Sequence, residues 1–114
     1  MKDKSQFFKG ILEGCVLKVI HDDEVYGYEI AEKLKVFGLK QVSEGTIYPL
    51  LLRLEKNGLL NSKKRTSPFG PDRKYYTLSQ KGEDELSYFY SNWLELKEGI
   101  DKIFINFKEV DINE

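Results

Sequence analysis

Cysteine, histidine and tryptophan occur once each in these 114 residues, and proline three times. A single thiol, Cys15, cannot close an intramolecular disulfide, and nothing points to an oxidising compartment. His21 and Cys15 stand six apart, a spacing that does not share one helical face, and Cys15 falls in an apolar pattern. The carboxylate runs Asp22-Asp23-Glu24 and Glu83-Asp84-Glu85 have neither flanking His or Cys nor metal-ligand spacing, and there is no phosphate-binding glycine loop. The expectation is a protein with no catalytic residues, no metal and no cofactor. No run of about 18 apolar residues is present to span a bilayer. The start, Met1 to Gln6, leads into a segment broken by Lys9 and Glu13 rather than a signal-peptide core. A cytoplasmic protein without a membrane partner is expected.

Net charge is also scarce, at -1, which argues against a nonspecific polycation. The balance hides an asymmetry. Residues 1–82 carry fifteen basic and ten acidic side chains, net +5, whereas residues 83–114 carry three basic and nine acidic, net -6. Apolar content is plentiful: 40% hydrophobic and 13% aromatic residues suffice for a core. A core of this size is modest, so a long apolar stripe left over calls for a partner.

Apolar spacing predicts the elements. From about Ser5 to Ile20, Phe7, Ile11, Cys15, Val19 and Phe8, Leu12, Val16, Ile20 form two adjacent i, i+4 columns of an amphipathic helix. Gly14 inside it suggests close approach of another helix. A polar loop, His21 to Glu24, follows. A second helix runs from near Tyr26-Gly27 to Phe37, with Ile30, Ala31, Leu34 and Phe37 on its apolar face and Gly38 as its stop. A third carries Ile47, Leu50, Leu51 and Leu54 and closes at Asn57-Gly58. If Ser43 caps it, Pro49 falls in the second turn and removes a bond to the Gly45 carbonyl; if Thr46 caps it, Pro49 falls in the first turn. Leu60 to Thr66 and Arg73 to Leu78 read as strands around Ser67-Pro68-Phe69-Gly70-Pro71-Asp72, a connection expected to be too long for a two-residue turn and mobile at its tip.

Ser79 caps a long final helix in which Leu86, Phe89, Trp93, Leu96, Ile100, Ile103, Phe107 and Val110 alternate spacings of three and four, an a/d seam over nearly four heptads. At 1.5 Å per residue it would reach roughly 40 Å, more than the preceding domain can cover. A second copy of the chain is the simplest cover, with Phe7, Ile11, Leu86, Phe89, Trp93, Leu96, Ile100, Ile103 and Phe107 at the dimer interface. The fold class is therefore mainly α with a small β-hairpin: a winged helix-turn-helix over 5–78 and a dimerisation helix over 79–110.

The third helix and the hairpin carry the functional signal. With its apolar residues inward, the helix presents Thr46, Tyr48, Pro49, Arg53 and Lys56 outward, the side-chain chemistry that reads base edges and phosphates from a major groove. Ser43, Gly45 and the N-H groups of the first turn suit a phosphate. A solvated helix face is the plain alternative. The hairpin puts Lys63, Lys64, Arg65, Arg73 and Lys74 against Asp72 alone within twelve residues. Such charges repel on antiparallel strands, and a polyanion would relieve the repulsion. The alternative is a hairpin that merely solubilises.

Four segments carry a resemblance. Tyr26 to Ile30 (YGYEI), Glu44 to Glu55 (EGTIYPLLLRLE), Gly58 to Leu60 (GLL) and Pro71 to Gly82 (PDRKYYTLSQKG) resemble, in order, the signature blocks of the PadR family of bacterial transcriptional regulators. The resemblance spans roughly residues 7–107 and implies a dimeric winged-helix repressor. Its interface would lie on the first and last helices, the last being single and short as in the smaller subgroup. It places a recognition helix on Glu44 to Asn57 and a wing on Lys63 to Tyr76. Ile47 stands where the family often has Leu, and Ser79 where it often has Thr.

Tyr75 and Tyr76 alternate across a strand, so one packs inward while the other faces solvent or DNA; Tyr26 and Tyr28 either pack or bind phosphate. Trp93 is bulky for a two-helix seam. A gap lined by Trp93, Phe89, Tyr90, Phe8, Leu12 and Cys15 would accept a small planar aromatic effector, as the family's drug-sensing members do, unless a dimer core fills it. The reading is a homodimeric repressor of a pseudo-palindromic double-stranded DNA site, released by such an effector. The alternative is a winged-helix protein-protein interaction module that binds no DNA.

Overall fold

A computed structural model describes residues 10–40 and 42–108. Phe7, Phe8 and Val110, placed above in the first and last apolar seams, lie outside the described residues. Helix α1 spans Ile11–Asp22, two residues further than its apolar pattern, and buries Val16, Leu17, Val19 and Ile20. A two-residue strand β1, Val25–Tyr26, leads directly into α2, Gly27–Val36. The Tyr26 N-H donates to Glu29 Oε1 (3.1 Å), the returning half of a capping box that ties the strand to the first turn. Ile30, Ala31 and Leu34 are buried, but Phe37 is 81% exposed. It belongs to the helix end rather than to the apolar face.

Helix α3, Glu44–Lys56, buries Ile47, Leu50, Leu51 and Leu54. Ser43 is its cap residue: the Ser43 carbonyl accepts from the N-H groups of Thr46 and Ile47 (both 3.0 Å). Pro49 therefore sits in the second turn and leaves the Gly45 carbonyl without its helical donor, at an exposed position. Both α2 and α3 end in Schellman motifs. At the second, the Gly58 N-H donates to the Glu55 carbonyl (3.0 Å) and the Leu59 N-H to the Leu54 carbonyl (2.9 Å). Gly58 adopts φ +81°, which a side chain would disfavour.

Strands β2, Leu60–Ser67, and β3, Gly70–Leu78, form the hairpin, and β1 adds to the free edge of β3, giving antiparallel order β1-β3-β2. The hairpin differs from expectation at its tip. Ser67 pairs with Gly70, so Pro68 and Phe69 alone make the turn, and the register slips between Arg65 and Ser67 through a bulge. The strands run nearly to the end because a bulge absorbs the odd residue.

The last helix, α4, spans Gln80–Ile103. Ser79 Oγ accepts from the Gly82 N-H (3.0 Å) and donates to the Gly58 carbonyl (2.6 Å), so one hydroxyl fixes the start of α4 against the end of α3. Where α4 crosses α1, Gly14 faces the Phe89 ring so closely that a Cβ would overlap it. Beyond this crossing α4 leaves the core. The expected helical seam stops earlier than its spacing suggests. Phe107 lies past the helix end, its N-H on the Phe104 carbonyl (2.9 Å) and its ring edge-on to Phe104, 5.3 Å away. The radius of gyration, 16.8 Å, exceeds the ~13 Å of a compact 100-residue domain because α4 projects.

Candidate nucleic-acid interface

Burial of one face of α3 turns the other outward: Ser43, Gly45, Thr46, Tyr48, Pro49, Arg53 and Lys56 are all exposed. Ser43 Oγ lies 3.3 Å from Thr46 Oγ1, so these two hydroxyls engage each other at the N-terminal end. Beside this face stands the hairpin. Register splits its side chains into two sets, since successive residues of a strand face opposite ways. Lys63 opposes Tyr75 and Arg65 opposes Arg73 on one face; Ser62 opposes Tyr76 and Lys64 opposes Lys74 on the other.

The first set is an aromatic and cationic ladder. The Arg65 guanidinium lies 4.4 Å from the Tyr75 ring centroid and that of Arg73 lies 4.7 Å from Tyr26. Tyr26 meets Tyr75 edge-on at 5.6 Å and stacks on Tyr28 at 6.2 Å. Tyr75 is half-buried and Tyr28 exposed, while Tyr76 is the inward member of its pair, 3% exposed. Burial raises the Tyr76 phenol above its ordinary pKa, and burial does the same to Tyr48.

The second set contacts α3. Lys74 Nζ donates to Glu55 Oε1 (2.7 Å), and the Ser62 hydroxyl donates to the other carboxylate oxygen. These bonds, that from Lys74 first, hold the Glu55 carboxyl below its ordinary pKa, and Glu55 raises that of Lys74. Arg65 pairs with Glu24, and Arg53 with Glu13 of α1 (3.2 Å). The expected repulsion among the hairpin cations is thus relieved within the chain for two of the five. Among the described residues, no carboxylate pairs with Lys56, Lys63, Lys64 or Arg73.

A groove of about 390 Å³ runs between α3 and the sheet, lined by Tyr26, Tyr28, Tyr48, Leu52 and Arg73 among others. Of the expected contact residues, the structure brings Tyr26, Tyr28, Tyr48, Arg73 and Lys74 around one groove, whereas Lys63 and Arg65 stand on one face of the hairpin and Lys64 on the other. Glu13, Glu24, Glu55 and Leu52 were not anticipated there. The carboxylates lie up to 41 residues from their partners, a pairing that no local spacing records.

The other expected groups sit along α4. Ile11, Leu12 and Cys15 of α1 are half-buried, as are Leu86, Phe89 and Trp93, whereas Tyr90, Leu96, Ile100, Ile103 and Phe107 are exposed. Leu12, Cys15 and Leu86 pack on the core, and burial raises the Cys15 thiol pKa. Phe89 lies across Gly14 and closes the crossing there. His21 Nδ1 and Glu83 Oε1, 2.8 Å apart, bridge the same two helices. Among the described residues no group of three or more His, Cys, Asp or Glu is placed to hold a metal, and no helix is long and apolar enough to cross a membrane.

Comparison with known proteins places the fold. The structure superposes on that of a PadR-like transcriptional regulator from Bacillus cereus with TM-score 0.80 and 42% identity, covering 91% of this chain and 99% of that one. A Streptococcus transcriptional regulator gives TM-score 0.78 at 46% identity over 86% of this chain and 96% of its own. A transcriptional regulator of Mycobacterium tuberculosis is 38% identical over 74 residues, 62% of this chain and 67% of its own length. The family model described as Transcriptional regulator PadR-like matches residues 16–88, from the middle of α1 through the hairpin and into α4. The chain belongs to the PadR-like family of transcriptional regulators, which are not enzymes.

Proposed function

We propose that the chain is a sequence-specific, homodimeric repressor that acts in the cytoplasm, with a winged unit over 5–78 and a pairing arm after Ser79. Two α3 helices enter successive major grooves of a pseudo-palindromic site, about 10 base pairs or a multiple apart. Thr46 and Tyr48 read bases, while Lys63, Lys64 and Arg73 engage phosphates. Ser43 and Gly45 at the α3 start, Pro49, and the tyrosines Tyr26, Tyr28 and Tyr75 complete the contact surface. Arg53, Arg65 and Lys74, each held by a carboxylate of the same chain, border that surface. The observation that carries this reading is the exposed polar and basic face of α3 beside a hairpin whose Lys63, Lys64 and Arg73 pair with no carboxylate among the described residues.

Selection of genomic fragments on purified protein at physiological salt tests it. Enrichment of one palindromic site is expected; no enrichment would sink the proposal. With Lys63, Lys64 and Arg73 paired to no carboxylate among the described residues, a dimer neutralises about six phosphates, and log K should fall against log salt with a slope of about -5. Replacing Lys64 and Arg65 by Ala should weaken binding to all duplexes and flatten that slope.

For release, an effector at the dimer seam, near Leu12, Cys15, Phe89, Tyr90 and Trp93, favours a protomer spacing that fits DNA poorly. The shift cannot exceed the effector's differential affinity for the two spacings. Titration of Trp93 fluorescence with planar aromatic compounds checks this, with quenching and loss of DNA binding expected together.

A further inference from the structure

Phe69 is 97% exposed, the most exposed large apolar side chain among the described residues, and it occupies half of the two-residue turn at the hairpin tip. Its ring contributes nothing visible to the core. Pro68 precedes it and Pro71 follows two residues later, and their fixed φ angles stiffen a segment that would otherwise be free to fold the ring back. The six residues from Thr66 to Pro71 carry no charge, whereas the strands behind them carry five cations against Asp72. The hairpin is thus a cationic shaft with a short apolar point.

We propose that Phe69 is a DNA-contacting wedge: the ring enters the minor groove beside the major groove that holds α3 and partly unstacks a base step. The proposal rests on the DNA-binding reading above. Charge complementarity selects the occupant, because phosphates flank the groove floor and the cations lie where the shaft would pass between them. Apolar side chains such as Phe and Pro insert between base steps in this manner and kink the duplex toward the major groove. Reach is sufficient. The seven steps from Leu60 to Ser67 extend about 23 Å at 3.3 Å per residue, against about 17 Å for half of a DNA turn. The bulge between Arg65 and Ser67 adds local twist that turns the tip away from the plane of the sheet.

The test uses the full chain and an end-labelled duplex of the site recovered by selection, with 2-aminopurine placed at successive steps outside the α3 half-sites. Wild-type protein should shorten the end-to-end distance by energy transfer and brighten 2-aminopurine at one step per half-site. Phe69→Ala should abolish both signals and weaken binding about 5- to 100-fold, the range found when an aromatic group stacked on a base is removed. Phe69→Leu should restore part of the bend, and Phe69→Ser none. Because the ring packs on nothing, all three variants should match the wild-type melting temperature. Wild-type DNA binding with no bend, or Phe69→Ala equal to wild type in affinity, bend and 2-aminopurine signal, would overturn the wedge while leaving the regulator intact. Absence of wild-type binding to any duplex would overturn the function on which it rests.

Discussion

A single methyl group probes the crossing of α1 and α4. At Gly14 a Cβ would run into the Phe89 ring, and neighbouring Val16 and Leu17 are fully or almost fully buried, so α1 has little room to move. Gly14→Ala gains about 1 kcal/mol in helix propensity and loses about 1–3 kcal/mol through overpacking. The loss should win, seen as a lower urea midpoint at unchanged slope. In a Phe89→Ala background the same substitution should become neutral or stabilising, since the obstructing ring is gone. Leu54, fully buried on α3, tests the opposite fault: Leu54→Ala should cost about 2–5 kcal/mol in the same titration.

A polar link between the hairpin and α3 runs through Glu55, whose two carboxylate oxygens hold Lys74 and Ser62. Partly exposed ion pairs contribute under about 1 kcal/mol, so Glu55→Gln should barely change stability. Its effect belongs to DNA binding: it frees one cation per protomer, which should steepen the salt slope by up to about 2 for a dimer and raise affinity for random duplex. The pH response follows from the two shifts. Glu55 is held below its ordinary 4.5, so its contribution is complete above that value and is lost as pH falls through the lower folded one. Lys74 is raised above 10.5, so its contribution is complete below that value and is lost as pH rises through the higher folded one. Wing docking, followed by amide exchange in β2 and β3, should therefore be flat from about pH 5 to 10. The same elements show what a sequence can and cannot disclose. The buried faces of α1, α2 and α3 follow their apolar spacing because burial imposes that period. The pair Val25–Tyr26 is too short to display one, and it becomes a strand only through Tyr75 and Tyr76 some fifty residues on. Pro68 and Pro71 read as a long loop because a bulge leaves no compositional mark, and the seam overran to Phe107 because spacing does not record where helical hydrogen bonds stop. The cationic and aromatic surface was legible as a composition; its pairing with Glu13, Glu24 and Glu55 required the fold.

Taken complete, the chain leaves Leu96, Ile100, Ile103 and Phe104 between 43% and 78% exposed on a helix that has left its own core. Hydration of so continuous an apolar row is unfavourable, and pairing of two α4 arms is the expected remedy. Replacing Leu96 and Ile100 together by Glu should leave the winged unit folded. Light scattering should then report a mass of 13.3 kDa where the wild type gives twice that. DNA affinity should fall steeply in the same variant, because two half-sites would no longer be gripped together.

The projecting arm has a geometric consequence. From its crossing with Gly14 at Phe89 to its end at Ile103, α4 extends about 21 Å at 1.5 Å per residue, so a tilt of about 5° at that pivot sweeps the far end by about 2 Å. In a pair joined along these arms the gain runs in reverse as well. A small rotation of each head about the joined arms carries both α3 helices out of phase with the grooves. Under the proposed release, a molecule seated in the dimer seam therefore need do very little there to be felt at the DNA.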